Sequence, residues 1–355
     1  MVNLVGPATE RSVTATAQPR WTPATLSTQL GDKHVRCDLC PFRCEIAEGR
    51  MGACKVRRNR NGVIETATTS VAVQHLDAIE RKPLYHVLPG SRVLTIAAPG
   101  CTFRCSYCVN HRLSQYGRDS EAPWTGEPAR PADLIGEAIA HGAAIGMSYT
   151  EPGLAPELTL ALAELAAPHG IPLFWKSNGF LTAEAVDLVA PFLAAVNIDV
   201  KAADDAAHRR LTGAPLGPVL DTVERFRAAG VWVEISTPLV PTTAGEPAQL
   251  RAIARRLAAI NPDMPWHLLR FTPDYQLAQA APTSPRALAT AVGLGHEAGL
   301  RYVYVERALG AAGRRTACPS CAATLVEREI WALGVNNVVA GACPSCGERV
   351  PGLWG

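Results

Sequence analysis

Eleven cysteines in 355 residues fall into three tight groups, and this distribution constrains the chain more than any other feature. Cys37, Cys40, Cys44 and Cys54 form the first group. Cys101, Cys105 and Cys108 form the second, and Cys318, Cys321, Cys343 and Cys346 the third. An odd count excludes a closed set of disulfides, and the C-x2-C spacings are those of metal-binding knuckles. Thiols reserved for metal imply a reducing, cytoplasmic setting.

Hydrophobic residues make up 48% and charged ones 19%, enough apolar material for a large core and too much for a disordered chain. The formal net charge is +2, with 34 Lys+Arg against 32 Asp+Glu, which argues against an electrostatic grip on nucleic acid or an anionic membrane. No run of about 18 apolar residues offers a membrane span. Residues 1–30 read as a polar, Thr/Ala/Pro-rich tail without the layout of a secretory signal. Residues 31–90 read as a Cys-rich module with a connector, 91–312 as the main domain, and 313–355 as a second Cys-rich module.

Within the main domain, short β-type runs at 93–97, 146–149, 172–175, 195–200, 231–239, 266–271 and 301–305 alternate with longer helical stretches. The latter lie at 132–141, 154–167, 183–189, 219–228, 248–258 and 285–298. Alternation on this scale predicts parallel βα units, hence an α/β barrel or a doubly wound sheet.

Cys101-x3-Cys105-x2-Cys108 lies immediately after the first of these strands. Three thiolates in so short a loop can wrap a cuboidal iron–sulfur cluster and leave its fourth iron open. A zinc site completed by a distant ligand such as His111 fits the same spacing. The four C-terminal cysteines, two C-x2-C knuckles, suit tetrahedral zinc, with a rubredoxin-like iron site as the alternative. Cys37, Cys40, Cys44 and Cys54 suit either zinc or a second iron–sulfur cluster, and spacing does not separate the two. Arg57 and Arg58 beside them read as solvated charges.

The Cys-x3-Cys-x2-Cys loop, with Tyr107 before its last cysteine, resembles the signature of radical S-adenosylmethionine (SAM) enzymes. The resemblance continues in order along the chain. Tyr149-Thr150-Glu151-Pro152 is similar to the family's Gly-Gly-Glu-Pro segment, and Ser177-Asn178-Gly179-Phe180 to its Thr-Asn-Gly-Phe/Tyr. Asn197-Ile198-Asp199-Val200-Lys201 resembles the Asp-Leu-Asp-Leu-Lys run of the pyruvate formate-lyase activating branch. Together with the flanking cysteine modules and the Ile79–His86 segment, the arrangement resembles the radical SAM member of the AmmeMemoRadiSam gene system.

That resemblance implies a partial parallel (β/α)6-type barrel with small metal-binding modules at both ends. It implies a 4Fe–4S cluster on Cys101, Cys105 and Cys108, and SAM held by Tyr107, Thr150, Glu151, Ser177, Asn178 and Asp199. It places Asp199 and Lys201 as catalytic residues, and it implies a one-electron donor of flavodoxin or ferredoxin type. The chemistry implied is formation of a 5′-deoxyadenosyl radical that abstracts hydrogen from a small-molecule or peptide substrate. Activation of a glycyl-radical enzyme is the alternative, and a metal-binding adaptor without radical activity is an alternative of another class. Thr272 stands where activating enzymes carry a histidine, residues 242–246 replace their usual turn, and Glu306-Arg307 replaces Gly-Asn. These departures favour the small-molecule or peptide substrate. Lys82, Tyr85 and His86 read either as a lid over the cysteine loop or as packing.

Overall fold

The computed structural model describes residues 18–241 and 243–355, so Thr242 and the first part of the expected tail lie outside the described residues. Eight strands form one sheet in simple sequence order: β1 (Val73–Ala78), β2 (Arg92–Ala97), β3 (Ala143–Met147), β4 (Leu173–Ser177), β5 (Ala195–Asp199), β6 (Trp232–Pro238), β7 (Trp266–Leu269) and β8 (Val303–Tyr304). β1 pairs antiparallel with β2, and every other neighbouring pair is parallel. Consecutive parallel order excludes the doubly wound alternative, in which strand order reverses at a switch point. The sheet does not close on itself, so the fold is an open, partial α/β barrel.

The helices are α1 (Pro131–His141), α2 (Pro156–Ala166), α3 (Ala183–Val189), α4 (Asp205–Thr212), α5 (Gly217–Ala228), α6 (Pro247–Ile260) and α7 (Pro285–Glu297). Most cover the outer face of the sheet with an apolar stripe, whereas α4 lies against the cysteine-bearing loop, its Thr212 and Leu211 carbonyls accepting from the Arg104 and Ser106 amides. In α6 the buried residues Leu250, Ile253, Ala254 and Leu257 recur at helical spacing, while Arg251, Arg255 and Arg256 face water. α3 begins where the Thr182 hydroxyl accepts from the Ala185 amide.

The inner face is different. Alternation along the strands sends Leu173, Trp175, Val196, Ile198, Val233 and Ile235 outward into the helix-packed core. The residues between them meet one another inside: Lys176 bonds Asn197 and Asp199, Ser236 donates to Asn197 at 2.7 Å, and Glu234 pairs with His267 at 2.6 Å. Period-two alternation thus builds an apolar outside and a polar inside from the same strands.

One mouth of this polar interior is plugged. Ile79, Leu84 and Val87 pack on Val93, Ala144, Phe174 and Ala195, which open strands β2 to β5. The plug is hydrogen-bonded as well: the Asn197 amide donates to Pro83 O at 2.6 Å, and the Tyr85 and His86 amides donate to the Glu234 carboxylate at 3.0 and 2.8 Å. Segment 79–88 is therefore packing at the N-terminal ends of the strands, not a lid over the cysteine loop.

The end modules are small antiparallel sheets. Thr22–Pro23 pairs with Val63–Thr66, which pairs with Arg57–Arg60, and Ser27–Gly31 pairs with His34–Cys37, itself paired with Glu45–Ile46. Within the segment expected as a tail to residue 30, Thr22–Pro23 and Ser27–Gly31 are strands of these sheets. β1 is likewise part of the main sheet although it lies before residue 91. At the other end, Thr316–Ala317, Thr324–Arg328 and Leu333–Asn336 form the C-terminal sheet.

A buried hydrogen-bond chain fastens the C-terminal module to the plug. The Pro351 carbonyl can only accept, so His86 Nδ1 donates to it at 2.7 Å and Nε2 is left to accept from Tyr304 Oη at 2.7 Å. Tyr304 in turn bonds Thr316 at 2.9 Å, and Arg328 donates to Thr316 at 2.9 Å. The arrangement needs a neutral imidazole. Burial holds His86 down at about 4, below its ordinary value of 6.5. The unfolded chain therefore takes up this proton first on acidification, and stability should decline progressively from about pH 6.5 towards pH 4, by about 3 kcal/mol for this group. Thermal denaturation against pH measures the slope, which His86→Phe should flatten; an unchanged slope would rule the assignment out.

Candidate active site

At the opposite, C-terminal ends of β2 to β5, the loops converge. This is the end at which parallel α/β barrels place their chemistry. The loop after β2 carries Cys101 and Cys108, half-buried, and Cys105, buried. It lies directly on the N-terminal module: Gly100 has φ +104°, and a Cβ there would stand 2.8 Å from Val56. Only glycine allows that approach.

The node of the site is Glu151, buried after β3. Its Oε1 accepts from Ser177 Oγ and Gly153 N, both at 2.7 Å, and its Oε2 accepts from Asn178 N at 2.7 Å. Asn178 continues the connection: Nδ2 donates to Thr102 Oγ1 at 2.8 Å and lies 3.4 Å from Cys101 Sγ. Its Oδ1 accepts from Phe180 N at 2.9 Å. Thr150 Oγ1 donates to Ala98 O at 2.5 Å. Thus Thr150, Glu151, Ser177 and Asn178 all come together, and their side chains bond chiefly to one another and to the cysteine loop. What the geometry assigns to them is the shape of that loop. Burial pushes the Glu151 carboxyl up to about 7, with the Asn178, Ser177 and Gly153 donors opposing it.

Asp199, at the end of β5, is held between two ammonium groups, Lys176 on β4 and Lys201 at 2.7 Å. Burial alone would raise its carboxyl, but the two lysines outweigh burial and hold it below the usual carboxylate range. Lys201 Nζ stands 5.8 Å from the centre of the Tyr107 ring, whose edge meets Phe271 with centroids 6.2 Å apart. Tyr107 Oη is buried with no hydrogen-bond partner among the described residues. An orphaned phenol beside an anionic carboxylate and a cysteine loop is what remains when a polar ligand completes the site.

Two positions were not legible in advance. Tyr149 has φ +68°, a left-handed conformation that costs a residue with a side chain about 1–2 kcal/mol. It stands where the related motif carries glycine. Here its hydroxyl bonds His75 Nε2 at 3.0 Å, its carbonyl accepts from Asn110 at 2.9 Å, and Lys82 Nζ lies 5.1 Å from its ring centre. Lys176 is the other: no motif marks it, and only the pairing of β4 with β5 sets it beside Asp199.

The thiol separations distinguish kinds of metal site. Zinc–sulfur bonds of about 2.3 Å in a tetrahedron put neighbouring sulfurs about 3.8 Å apart. In the C-terminal set, Cys318 and Cys346 are 3.5 Å apart and Cys321 and Cys343 3.7 Å apart, with all four sulfurs within 4.8 Å. These residues fit one tetrahedral ion. No other set of three or more Cys, His, Asp or Glu ligand atoms among the described residues meets that limit. Cys101, Cys105 and Cys108 are not among the sets that meet it. His111 does not complete a zinc site there, since its ring stacks on Tyr275 with centroids 4.5 Å apart and bonds Cys108 O.

Arg57, expected to be solvated, is fully buried instead. It pairs with Glu157 and donates to Cys37 Sγ at 3.5 Å. Arg58 pairs with Glu65 at 2.7 Å and lies 4.3 Å over the Trp21 ring.

The Radical SAM superfamily description matches residues 95–252. An uncharacterized protein of Methanocaldococcus jannaschii is 34% identical over 327 residues, covering 91% of this chain and 96% of that protein. The isethionate sulfite-lyase activating enzyme of Nitratidesulfovibrio vulgaris is 29% identical over 146 residues, 40% of this chain and 48% of the enzyme. Among solved structures, a radical SAM methyltransferase from Sphaerobacter thermophilus is 16% identical with a TM-score of 0.48, covering 61% of this chain and 66% of that one. The chain belongs to the radical SAM superfamily, related to its activating enzymes. It is an enzyme using a 4Fe–4S cluster and SAM, not a metal-binding adaptor.

Two outcomes follow from the site. Glu151→Ala leaves three buried donors without an acceptor, at about 1–3 kcal/mol each, and should lower stability by several kcal/mol; Glu151→Gln should cost less, and equal melting temperatures for the two would refute the node. Metal analysis should find about one zinc per chain that is lost in Cys321→Ser/Cys343→Ser.

Proposed function

We propose that Cys101, Cys105 and Cys108 hold the 4Fe–4S cluster of this enzyme, and that it acts on a small molecule or a peptide. The observation that carries the reading is the convergence of these three thiols with the Glu151 node at the open end of a polar-lined sheet. Three thiolates would hold three irons of such a cluster and leave one iron for SAM. With cluster and SAM bound, the site would have the one-electron chemistry that cleaves SAM reductively and makes hydrogen abstraction from substrate possible.

The chain's own residues bind, orient and exclude water. Glu151 shapes the Ser177–Asn178 turn, and Asn178 braces the loop at Thr102 and Cys101. Asp199 and Lys201 present a carboxylate and an ammonium group for the charged ends of SAM and substrate. Tyr107 offers its free hydroxyl from below. Phe103 and Phe180, with ring centroids 5.5 Å apart, supply apolar cover under the loop. A flavodoxin- or ferredoxin-type protein would deliver the electron. A cytoplasmic setting agrees with eleven free thiols.

The second reading, activation of a glycyl-radical protein, is favoured by the likeness of this chain to isethionate sulfite-lyase activating enzymes. Against it stand Thr272 and Glu306-Arg307, where the activating pattern differs. Here Glu306 accepts from Trp331 Nε1 at 3.0 Å and the Arg307 guanidinium lies 4.8 Å from the Trp331 ring, so the C-terminal module packs on this segment. A stable glycyl signal on a candidate partner, seen by electron paramagnetic resonance, would select the second reading.

Anaerobic reconstitution with iron and sulfide, followed by dithionite and SAM, should yield 5′-deoxyadenosine, and Cys105→Ala should abolish it. Undiminished 5′-deoxyadenosine from that variant would overturn the cluster assignment.

A further inference from the structure

The N-terminal module holds its four cysteines in a manner unlike the C-terminal one. Cys37, Cys40 and Cys54 are buried and Cys44 half-buried, gathered beneath Leu39, Ile46 and Val56. Four thiols packed under apolar cover without a disulfide among them form a metal site by their chemistry. Yet no three of these sulfurs come within 4.8 Å of one another, whereas the four C-terminal sulfurs do. A mononuclear zinc or iron site needs edges of about 3.8 Å, while a cuboidal cluster spreads its thiolates about 6 Å apart.

Two features of the surroundings point the same way. The Arg57 guanidinium, fully buried, donates through Nη1 to Thr25 O at 3.1 Å and to Cys37 Sγ at 3.5 Å, while its Nε has no partner among the described residues. A buried donor of this kind calls for an acceptor that the protein does not supply. An inorganic sulfide is such an acceptor, and a lone zinc ion provides none. The Ala53 amide also donates to Cys44 Sγ at 3.4 Å, an N–H···S bond of the type that surrounds iron–sulfur clusters.

From these observations we infer that Cys37, Cys40, Cys44 and Cys54 bind a second, fully protein-ligated iron–sulfur cluster of the cuboidal type. With four cysteines it has no open iron, so it neither binds SAM nor reacts with substrate. Its loop is built into the wall of the catalytic loop. Arg118 donates to Ala53 O at 2.9 and 2.7 Å and to Phe103 O at 3.0 Å, linking the residue before Cys54 to the residue between Cys101 and Cys105. The Lys55 side chain lies against Gly117, and Val56 against Gly100. This inference does not depend on which residues hold the catalytic cluster.

The test is iron, sulfide and zinc content after anaerobic reconstitution and desalting. Wild-type protein should carry about eight irons and about eight sulfides per chain, with about one zinc. The variant Cys101→Ala/Cys105→Ala/Cys108→Ala should keep about four irons and a cluster-type absorption band, and Cys37→Ser/Cys54→Ser should also keep about four. Mössbauer spectra of the first variant should show cuboidal 4Fe–4S iron. About four irons in the wild type, unchanged by Cys37→Ser/Cys54→Ser and accompanied by about two zinc ions, would overturn the inference. If the triple variant does not fold, the halving of iron in Cys37→Ser/Cys54→Ser decides by itself. Loss of iron on mutating the N-terminal set, with none on mutating the loop set, would uphold this inference and sink the catalytic assignment instead.

Discussion

The active end of this protein depends on one buried carboxylate. Glu151 accepts three hydrogen bonds, and through them the end of β3 dictates the shape of the turn after β4, which in turn braces the cysteine loop after β2. Three loops from three adjacent strands would otherwise be free to move independently. A single buried acceptor couples them because each donor would be left unsatisfied without it, a penalty larger than the net gain of an ordinary surface hydrogen bond. The cysteine loop is thereby shaped by the chain itself.

The sheet supplies the second constraint. Its outer face is sealed by helices and its inner face is polar, so the interior needs a plug at one mouth and leaves the other for chemistry. The plug at 79–88 satisfies Asn197 and Glu234 as well as covering apolar strand ends. The same segment, through His86, receives the C-terminal module. The two end modules thus do different structural work. The N-terminal one packs behind the cysteine loop, and the C-terminal one is latched to the plug and packs on the segment after β8 through Trp331.

Most of the architecture was legible because parallel βα units repeat a strong local signal. Helix Ala183–Val189 is read at its true bounds, since Thr182 caps it and the apolar spacing is unambiguous. Strand β3 is displaced from the expected 146–149 to Ala143–Met147 because two alanines and a glycine carry little strand preference. β1 and α4 escape notice, one being an antiparallel edge strand and the other a short polar helix whose burial is set by tertiary packing. The polar interior was written in the alternation of Lys176, Asn197, Asp199, Glu234 and His267, but which of them meet depends on strand register.

The sequence by itself determined parallel βα units and three thiol sets, and the resemblance of its motifs to those of radical SAM enzymes implied the chemistry, because ligand type and strand–helix alternation are local properties. Three things were decided only in three dimensions. Glu151, Ser177 and Asn178 became a bonded frame for the loop, Arg57 became a buried partner of a thiol, and of the three cysteine sets only the C-terminal one, among the described residues, was gathered to the size of a single ion. The physical reason is common to all three. Spacing along a chain limits which atoms can meet, whereas the separation at which they are held, and what satisfies a buried charge, is set by residues far apart in sequence that the fold packs together.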